Sequence, residues 1–428
     1  MGILIPFVLI FLACLIIWRA CDGFEVASEY IGRNLSEGVR GGTINAISSS
    51  VPELFTTLIA LFVLADQDGF AMGIGTTAGS ALFNGMIIPA MCILTVIGAV
   101  VMGVKVTSVN VSTKVLLRDG ISLILCELIL IILINGQQLH WWQGLILMGL
   151  YAAYLAYMLL SMKTAPANNH VSDGDDAHEE INTAKGPLAA VIYWMSGGPL
   201  LNLESMFVGD KQRQQIRDET WNGWPLLLTS TAYIALACWA LVKACEWLGT
   251  GAANLQHPSY ILFGQEFTGL GMPAMFVAVI FASMATSVPD TVMSIRDARD
   301  GDYDDAVANA LGSNIFDICF ALGFPLFLYT LIYGPVQMSE KVALQSSELR
   351  LLLLLLTVVG FFVYYIGRRG IDANGNQYVE MKRNKAMLLL AIYSGFVLYI
   401  VGRSQDHPIA QSISESLQLF LTYIPTVS

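Results

Sequence analysis

Residues 41–65 read GGTINAISSSVPELFTTLIALFVLA, and residues 281–301 read FASMATSVPDTVMSIRDARDG. Laying SSSVPE (48–53) on ATSVPD (285–290) aligns Ser50 with Ser287, Pro52 with Pro289 and Glu53 with Asp290. The segments that follow match too. GSALFN (79–84) overlays GSNIFD (312–317), aligning Ser80 with Ser313 and Asn84 with Asp317. The two registers, 237 and 233 residues, differ only by a short loop. The chain is therefore a duplication, and each copy carries acid, hydroxyl and proline inside an apolar run.

The surroundings of these motifs are greasy. Of 428 residues, 55% are hydrophobic and 13% charged, with mean hydropathy +0.62. Soluble domains carry about 25% charged residues, which excludes an ordinary soluble enzyme. A net charge of -11 does not suit a nucleic-acid binder, which needs a basic face. A bilayer span takes about 20 apolar residues. Runs of that kind fall at 3–24, 40–65, 71–103, 115–135, 140–162, 224–248, 266–295, 303–333, 349–367 and 385–402. The first has no basic residue before it and no small-residue cleavage site after it, so it reads as a retained span and not a signal peptide. The expected fold is an all-α integral membrane protein of about ten transmembrane helices. Residues 1–162 form a first five-helix repeat, 163–222 a cytoplasmic loop, 223–403 a second five-helix repeat, and 404–428 a tail or interfacial helix. Five helices per copy is an odd number, so the second copy enters the membrane in the opposite sense. That is the inverted-repeat plan of secondary transporters.

Basic residues set the orientation, because cytoplasmic loops collect Lys and Arg. With the N-terminus outside, 18 of the 22 fall in inside segments; Lys243, Lys341, Arg350 and Arg403 are the exceptions. This predicts a multi-pass protein of the cell membrane with its N-terminus outside. The loop at 163–222 holds DGDDAHEE (173–180), a solvated charge run without the spacing of a calcium-binding EF-hand. Its apolar, Gly/Pro-rich part, 187–206, reads as lying on the membrane surface. The seven cysteines sit mostly in apolar stretches without a CxxC pair, and the five histidines form no HExxH. A disulfide framework and a zinc protease are both excluded.

The polar centres carry the chemistry. A proline inside a span removes a backbone donor and clashes with the preceding turn. Carbonyls around 46–49 and 283–286 then need partners, and a dehydrated cation is one. Ser49 and Glu53 are four residues apart and share a helix face, as do Thr286 and Asp290, Ser80 and Asn84, and Ser313 and Asp317. All eight offer oxygen, the ligand of calcium, which takes about 6–8 of them. Cysteine and histidine are missing from these segments, which argues against zinc. Glu53 lies about 20 Å along its span at the helical rise, deep in the hydrocarbon, where an acid is a functional candidate by default. Glu127 has no repeat partner and reads as a packing or snorkelling residue. Asp22 reads as interfacial, and Gly79 and Gly312 as points of close helix approach.

These residues resemble the sodium/calcium exchanger family of cation/calcium antiporters. SSSVPELFTT resembles its first α-repeat, and ATSVPDTVMS with GDYDDAVANALGSNIFD resembles its second. Ser48 and Ser49 depart from the family's Gly-Thr, and Ala81 stands where Asn is common. The resemblance implies a non-enzymatic antiporter exchanging Na+ for Ca2+, without a cofactor, in contact with membrane lipid. It implies a central calcium site between Glu53 and Asp290, assisted by Ser49 and Thr286. Sodium positions would use Ser50, Ser80, Ser287, Ser313 and Asp317, with backbone oxygens of Ala46 and Ser283. Asn84 would face Asp317 across the pseudo-symmetry axis. Asp317 resembles the potassium-dependent members, so K+ co-transport stays open. Calcium/proton exchangers share the fold but usually carry a different Gly-Asn-rich acidic motif. A cation channel and an intramembrane aspartyl protease are remoter readings. The inverted repeat favours alternating access over a channel, and the GxGD signature such proteases resemble is absent.

Overall fold

The computed structural model describes residues 2–31, 46–64, 67–101, 103–162, 193–195, 197–218, 220–251, 257–371 and 375–424. Arg33, Arg40, the beginning of the second apolar run and the DGDDAHEE segment lie outside the described residues. Seven helices are long and apolar enough to cross a bilayer, among them Leu4–Ser28, Gly69–Val96, Trp141–Leu160 and Trp224–Gly249. An eighth candidate is a broken segment, Ala274–Thr286 followed by Val288–Asp300, bent by 44°. Two further apolar helices belong to the same bundle. Thr113–Leu133 carries Lys114, Arg118, Asp119 and Glu127, and Val51–Ile59 continues Ala46–Ser49 past a break at Ser50.

The elements begin and end where local chemistry says they should. Ser112 caps Thr113–Leu133 by accepting from the Lys114 amide at 3.3 Å, and Ser339 caps Glu340–Tyr365 by accepting from Val342 at 3.4 Å. Two span boundaries differ from the apolar runs. The third helix, Gln67–Val96, stops short of 103, and Val100–Val101 pairs back on Val104–Lys105. The seventh run begins at Ala274 and not at 266. Tyr260–Leu262 and Gln265–Phe267 form a hairpin, and Gly269, Gly271 and Pro273 then delay the helix. Hydropathy cannot separate a short apolar strand from the end of a helix. Asp22 is half-buried within Leu4–Ile31, not at its end.

Short strand pairs tie the loops together. Val109–Ser112 pairs antiparallel with Gln377–Met381, joining two loops that the charge pattern assigns to one face. Gln138–Leu139 pairs with Val336–Gln337, joining two loops assigned to the other. Three of the four basic residues that broke the charge rule are held by protein groups. Arg350 is 1% exposed and donates to the Ile134 carbonyl and to the hydroxyls of Ser346 and Ser347. Arg403 pairs with Glu348 at 3.0 Å, and Lys243 with Glu246 at 2.8 Å. The tail folds as Pro408–Leu421, whose Ser414 and Gln418 also donate to Glu348.

The helix Gln67–Val96 runs through the middle of the bundle, and its glycines set how close the broken segments come. A Cβ on Gly69 would lie 2.4 Å from the Ala60 carbonyl, and one on Gly73 would lie 2.7 Å from the Thr57 methyl. On the opposite side, a Cβ on Gly75 would meet the Met275 carbonyl at 2.4 Å, and one on Gly79 the Val279 carbonyl at 2.2 Å. Gly79 thus behaves as expected. Gly312 does not: its nearest neighbours, Ala46 and Tyr154, stand at 3.8 Å. Small residues matter only where backbones touch.

Candidate ion-binding site

Both broken segments interrupt at the serine before Val-Pro. Ser50 has φ -97, ψ 6 and Ser287 has φ -81, ψ 2, so the two breaks share one geometry. Pro52 and Pro289 then start the second half of each segment, a position where the missing N–H costs nothing. The break turns Glu53 and Asp290, one residue beyond each proline, toward the helices that carry Ser80 and Ser313. A π-helical turn, Asp317–Ala321, begins at Asp317; such turns recur at functional positions.

The side chains of the repeat meet in one buried cluster. Ser80 Oγ lies 3.2 Å from Glu53 Oε1, 2.9 Å from Asp317 Oδ2 and 2.9 Å from Ser287 Oγ. Ser313 Oγ donates to Asp290 Oδ1 at 2.8 Å and stands 3.5 Å from Ser49 Oγ. Asn84 Nδ2 donates to Asp290 Oδ2 at 3.0 Å and reaches Ser80 Oγ at 3.4 Å. Two of these contacts are images of each other under the repeat: Ser80 to Glu53, and Ser313 to Asp290. So are the crossings between halves, with Thr286 beside Glu53 and Ser49 beside Asp290. Asn84 and Asp317 do not bond directly; Ser80 stands between them. Glu53, Asp290 and Asp317 are all 0% exposed, and none is in an ion pair among the described residues.

The cluster is short of protons. A serine hydroxyl has one hydrogen to give, whereas each ionised carboxylate has two acceptor oxygens. Ser80 alone faces two carboxylates and a second hydroxyl. Glu53 Oε2, Asp317 Oδ1, Asn84 Oδ1 and Ser50 Oγ are left buried without a well-formed hydrogen bond, although Ser50 stands beside Asp317 and Thr286 beside Glu53. Buried polar atoms of this kind cost stability unless something satisfies them. A hard cation supplies what the cluster lacks. Among the described residues no three His, Cys, Asp or Glu side chains gather as a metal centre. The oxygen set here mixes carboxylates with hydroxyls and an amide.

Two backbone groups stand differently from expectation. The Ala46 carbonyl accepts the Ser50 amide and the Ser49 hydroxyl, both at 3.3 Å. The Ser283 carbonyl accepts the Ser287 amide at 3.0 Å and the Thr286 hydroxyl at 3.2 Å. To coordinate an ion, these oxygens would first shed a local hydroxyl. Glu127 does not snorkel: it is 1% exposed and accepts from Thr357 at 2.8 Å.

The repeat registers also point to residues the motif reading passed over. They overlay Thr57 on Ser294 and Thr76 on Asn309. All four are buried, Asn309 donates to Ser294 at 3.2 Å, and the Thr57 hydroxyl and Asn309 Oδ1 have no partner. The polar column therefore continues one helical turn past the central cluster in both halves. Asp119 had no motif to flag it. It is buried, held by two bonds from Arg118 at 2.6 and 2.7 Å, with Tyr154 at 3.2 Å.

The family model described as sodium/calcium exchanger protein matches residues 5–160 and 229–402. The chain belongs to the sodium/calcium exchanger family. Its family relatives include sodium/potassium/calcium exchanger 4 of Mus musculus, 25% identical over 89% of this chain and 78% of that one. Sodium/potassium/calcium exchanger 3 of Homo sapiens is 38% identical over a shorter stretch, 32% of this chain and 20% of that one. The crystal structure of the H+/Ca2+ exchanger CAX covers 98% of this chain and 85% of that one at TM-score 0.56 and 13% identity, a likeness of fold. The chain is thus a multi-pass membrane protein of a cation/calcium exchanger family.

Proposed function

We propose that this chain is a sodium-driven calcium antiporter working by alternating access. The observation that carries the reading is the buried cluster, to which both halves bring acid and hydroxyl and in which four oxygens lack a well-formed hydrogen bond. Calcium sits between Glu53 and Asp290, whose two charges balance it, with Ser49 and Thr286 completing its shell. Sodium ions use Ser50, Ser80, Ser287, Ser313 and Asp317, and the Ala46 and Ser283 carbonyls once their hydroxyls turn away. Asn84 holds Asp290 in place. Sodium and calcium are similar in size and differ in charge, so shared oxygens hold one or the other. If the protein changes face only when suitably loaded, this competition couples the two fluxes.

The reading places the cluster on ten spans in two inverted five-helix repeats, 1–162 and 223–403, joined by a cytoplasmic loop at 163–222 and followed by a tail at 404–428. The strand pairs support it. In element order, the strand before Thr113–Leu133 corresponds to the strand before Glu340–Tyr365, and the strand before Trp141–Met162 to the strand before Arg383–Ser404, so the two pairs exchange places on opposite faces. The N-terminus then lies outside the cell membrane.

Membrane vesicles loaded with sodium test the proposal. An outward sodium gradient should drive calcium uptake, and Glu53→Gln or Asp290→Asn should abolish it while the protein stays folded. Uptake driven equally by a pH gradient alone would move the assignment to calcium/proton exchange. A second element of the reading is potassium co-transport. Asp317 lies in the cluster, bonded to Ser80, and the relatives' names include potassium.

A further inference from the structure

Beyond the central cluster, the second repeat carries polar side chains as far as its loop. Asp290, Ser294 and Asp297 lie at i, i+4 and i+7 of Val288–Asp300 and share one face. Ser313, Asn309 and Asp305 step back along Tyr303–Phe316 at four-residue intervals. The rungs match: Ser313 donates to Asp290 at 2.8 Å, and Asn309 donates to Ser294 at 3.2 Å. Asp297 and Asp305 follow, and the charges of Asp305, Asp302 and Asp300 all act on Asp297.

The first repeat is the internal control. Under the repeat registers Ser294 and Asn309 correspond to Thr57 and Thr76, whereas Asp297, Asp305 and Asp302 correspond to Ala60, Met72 and Gly69. Ala60 and Met72 are 0% exposed, and a Cβ on Gly69 would lie 2.4 Å from the Ala60 carbonyl. That end of the first repeat is closed by apolar packing. The matching end of the second repeat places three carboxylates at the same positions, Asp302 and Asp305 exposed and Asp297 half-buried. Helix stability does not account for them all. Asp297 and Asp300 fall in the last turn of their helix, where the dipole favours cations. Arg296 lies near Asp297 without forming an ion pair among the described residues, and Arg118, near Asp305, is already held by Asp119. Behind the acids, Asn309 is 8% exposed and its Oδ1 has no hydrogen-bond partner. Its side chain leans toward the N-terminus of its helix, the turn that carries Asp305.

We infer that Asp297, Asp302 and Asp305, with the Asn309 amide oxygen behind them, hold one hydrated divalent cation at the inside mouth of the central cluster. The acids do not close together as a metal centre, so the ion keeps its water. Two of the charges balance calcium, and the third adds to a field that concentrates cations at the mouth. Ser294 and Asn309 stand between this station and Asp290, so the ion waits one helical turn short of the cluster. The inference rests on the antiport reading for the passage of calcium and for which face is inside.

Radioactive calcium bound to the full chain in lipid nanodiscs gives the direct test. Glu53→Gln combined with Asp290→Asn removes the central site, and one weakly bound calcium per chain should remain. Adding Asp297→Asn and Asp305→Asn should abolish it. In sealed vesicles of known orientation, Asp297→Asn with Asp305→Asn should raise the calcium concentration for half-maximal transport several-fold from the inside face and not from the outside. Added choline chloride should shift the inside value more in wild type than in this variant, because salt screens exposed charge. Asp305→Asn alone, at an exposed position, should give a smaller shift of the same sign and keeps the test open if the double variant fails to fold. No residual calcium in the first protein, or equal shifts on both faces, overturns the inference. Failure of the antiport reading would look different: wild type would show no sodium-driven calcium flux, while the residual calcium would still be lost with Asp297→Asn and Asp305→Asn.

Discussion

Asp317 is the residue that separates two versions of the transport cycle. It has one oxygen on Ser80 and one beside Ser50 without a well-formed bond, so it can serve an additional monovalent ion. If potassium is carried, removing it should depress calcium transport in wild type, and Asp317→Asn should erase that dependence. Flux assays with and without potassium on both sides decide it. Glycine makes an opposite kind of prediction, about space and not charge. Gly79→Ala would drive a Cβ to 2.2 Å from the Val279 carbonyl. Backbone cannot rotate away, so overpacking should cost about 1–3 kcal/mol and lower the thermal midpoint in detergent. Gly312→Ala, with nothing nearer than 3.8 Å, should leave that midpoint unchanged or raise it. The sequence treats these two glycines as equivalents. Only the packing tells them apart.

At the scale of elements, the tail helix Pro408–Leu421 rests on one buried acid. Glu348 receives bonds from Arg403, Ser414, Gln418 and Tyr399, drawing three helices together. Breaking a buried ion pair by removing one partner costs about 3–5 kcal/mol. Glu348→Ala should therefore release 408–421, seen as faster amide exchange over that helix, while the central cluster keeps its protection. The apolar run at 408–428 announced a helix, but nothing in it named Glu348, some sixty residues earlier, as its anchor. The broken segments were more legible. Proline, acid and serine in matched registers marked where the helices would fail, because a missing N–H is a local fact.

Across the whole molecule, the strand pairs and the charge pattern make one topological claim. Asn110 and Gln138 are both exposed and lie in loops assigned to opposite faces. Gln138→Cys should therefore react with an impermeant thiol reagent in intact cells, and Asn110→Cys only after the membrane is permeabilised. Of the seven native cysteines, six are buried and Cys14 is half-buried, so background labelling should be low. Labelling of both positions from the same side would break the inverted arrangement.

Much of this protein was readable from its residues alone. Hydropathy and charge alternation depend on local composition, and the duplication depends on register, so spans, polar centres and the acids Glu53, Asp290 and Asp317 could be named without coordinates. Tertiary structure decided which oxygens meet: that Ser80 and not Asn84 contacts Asp317, that the Ala46 and Ser283 carbonyls are already occupied, and that Glu127 is held by Thr357, 230 positions away. The reason is physical. A helix face follows from spacing within one segment, whereas a shortage of donors arises only where several segments bury their polar atoms together.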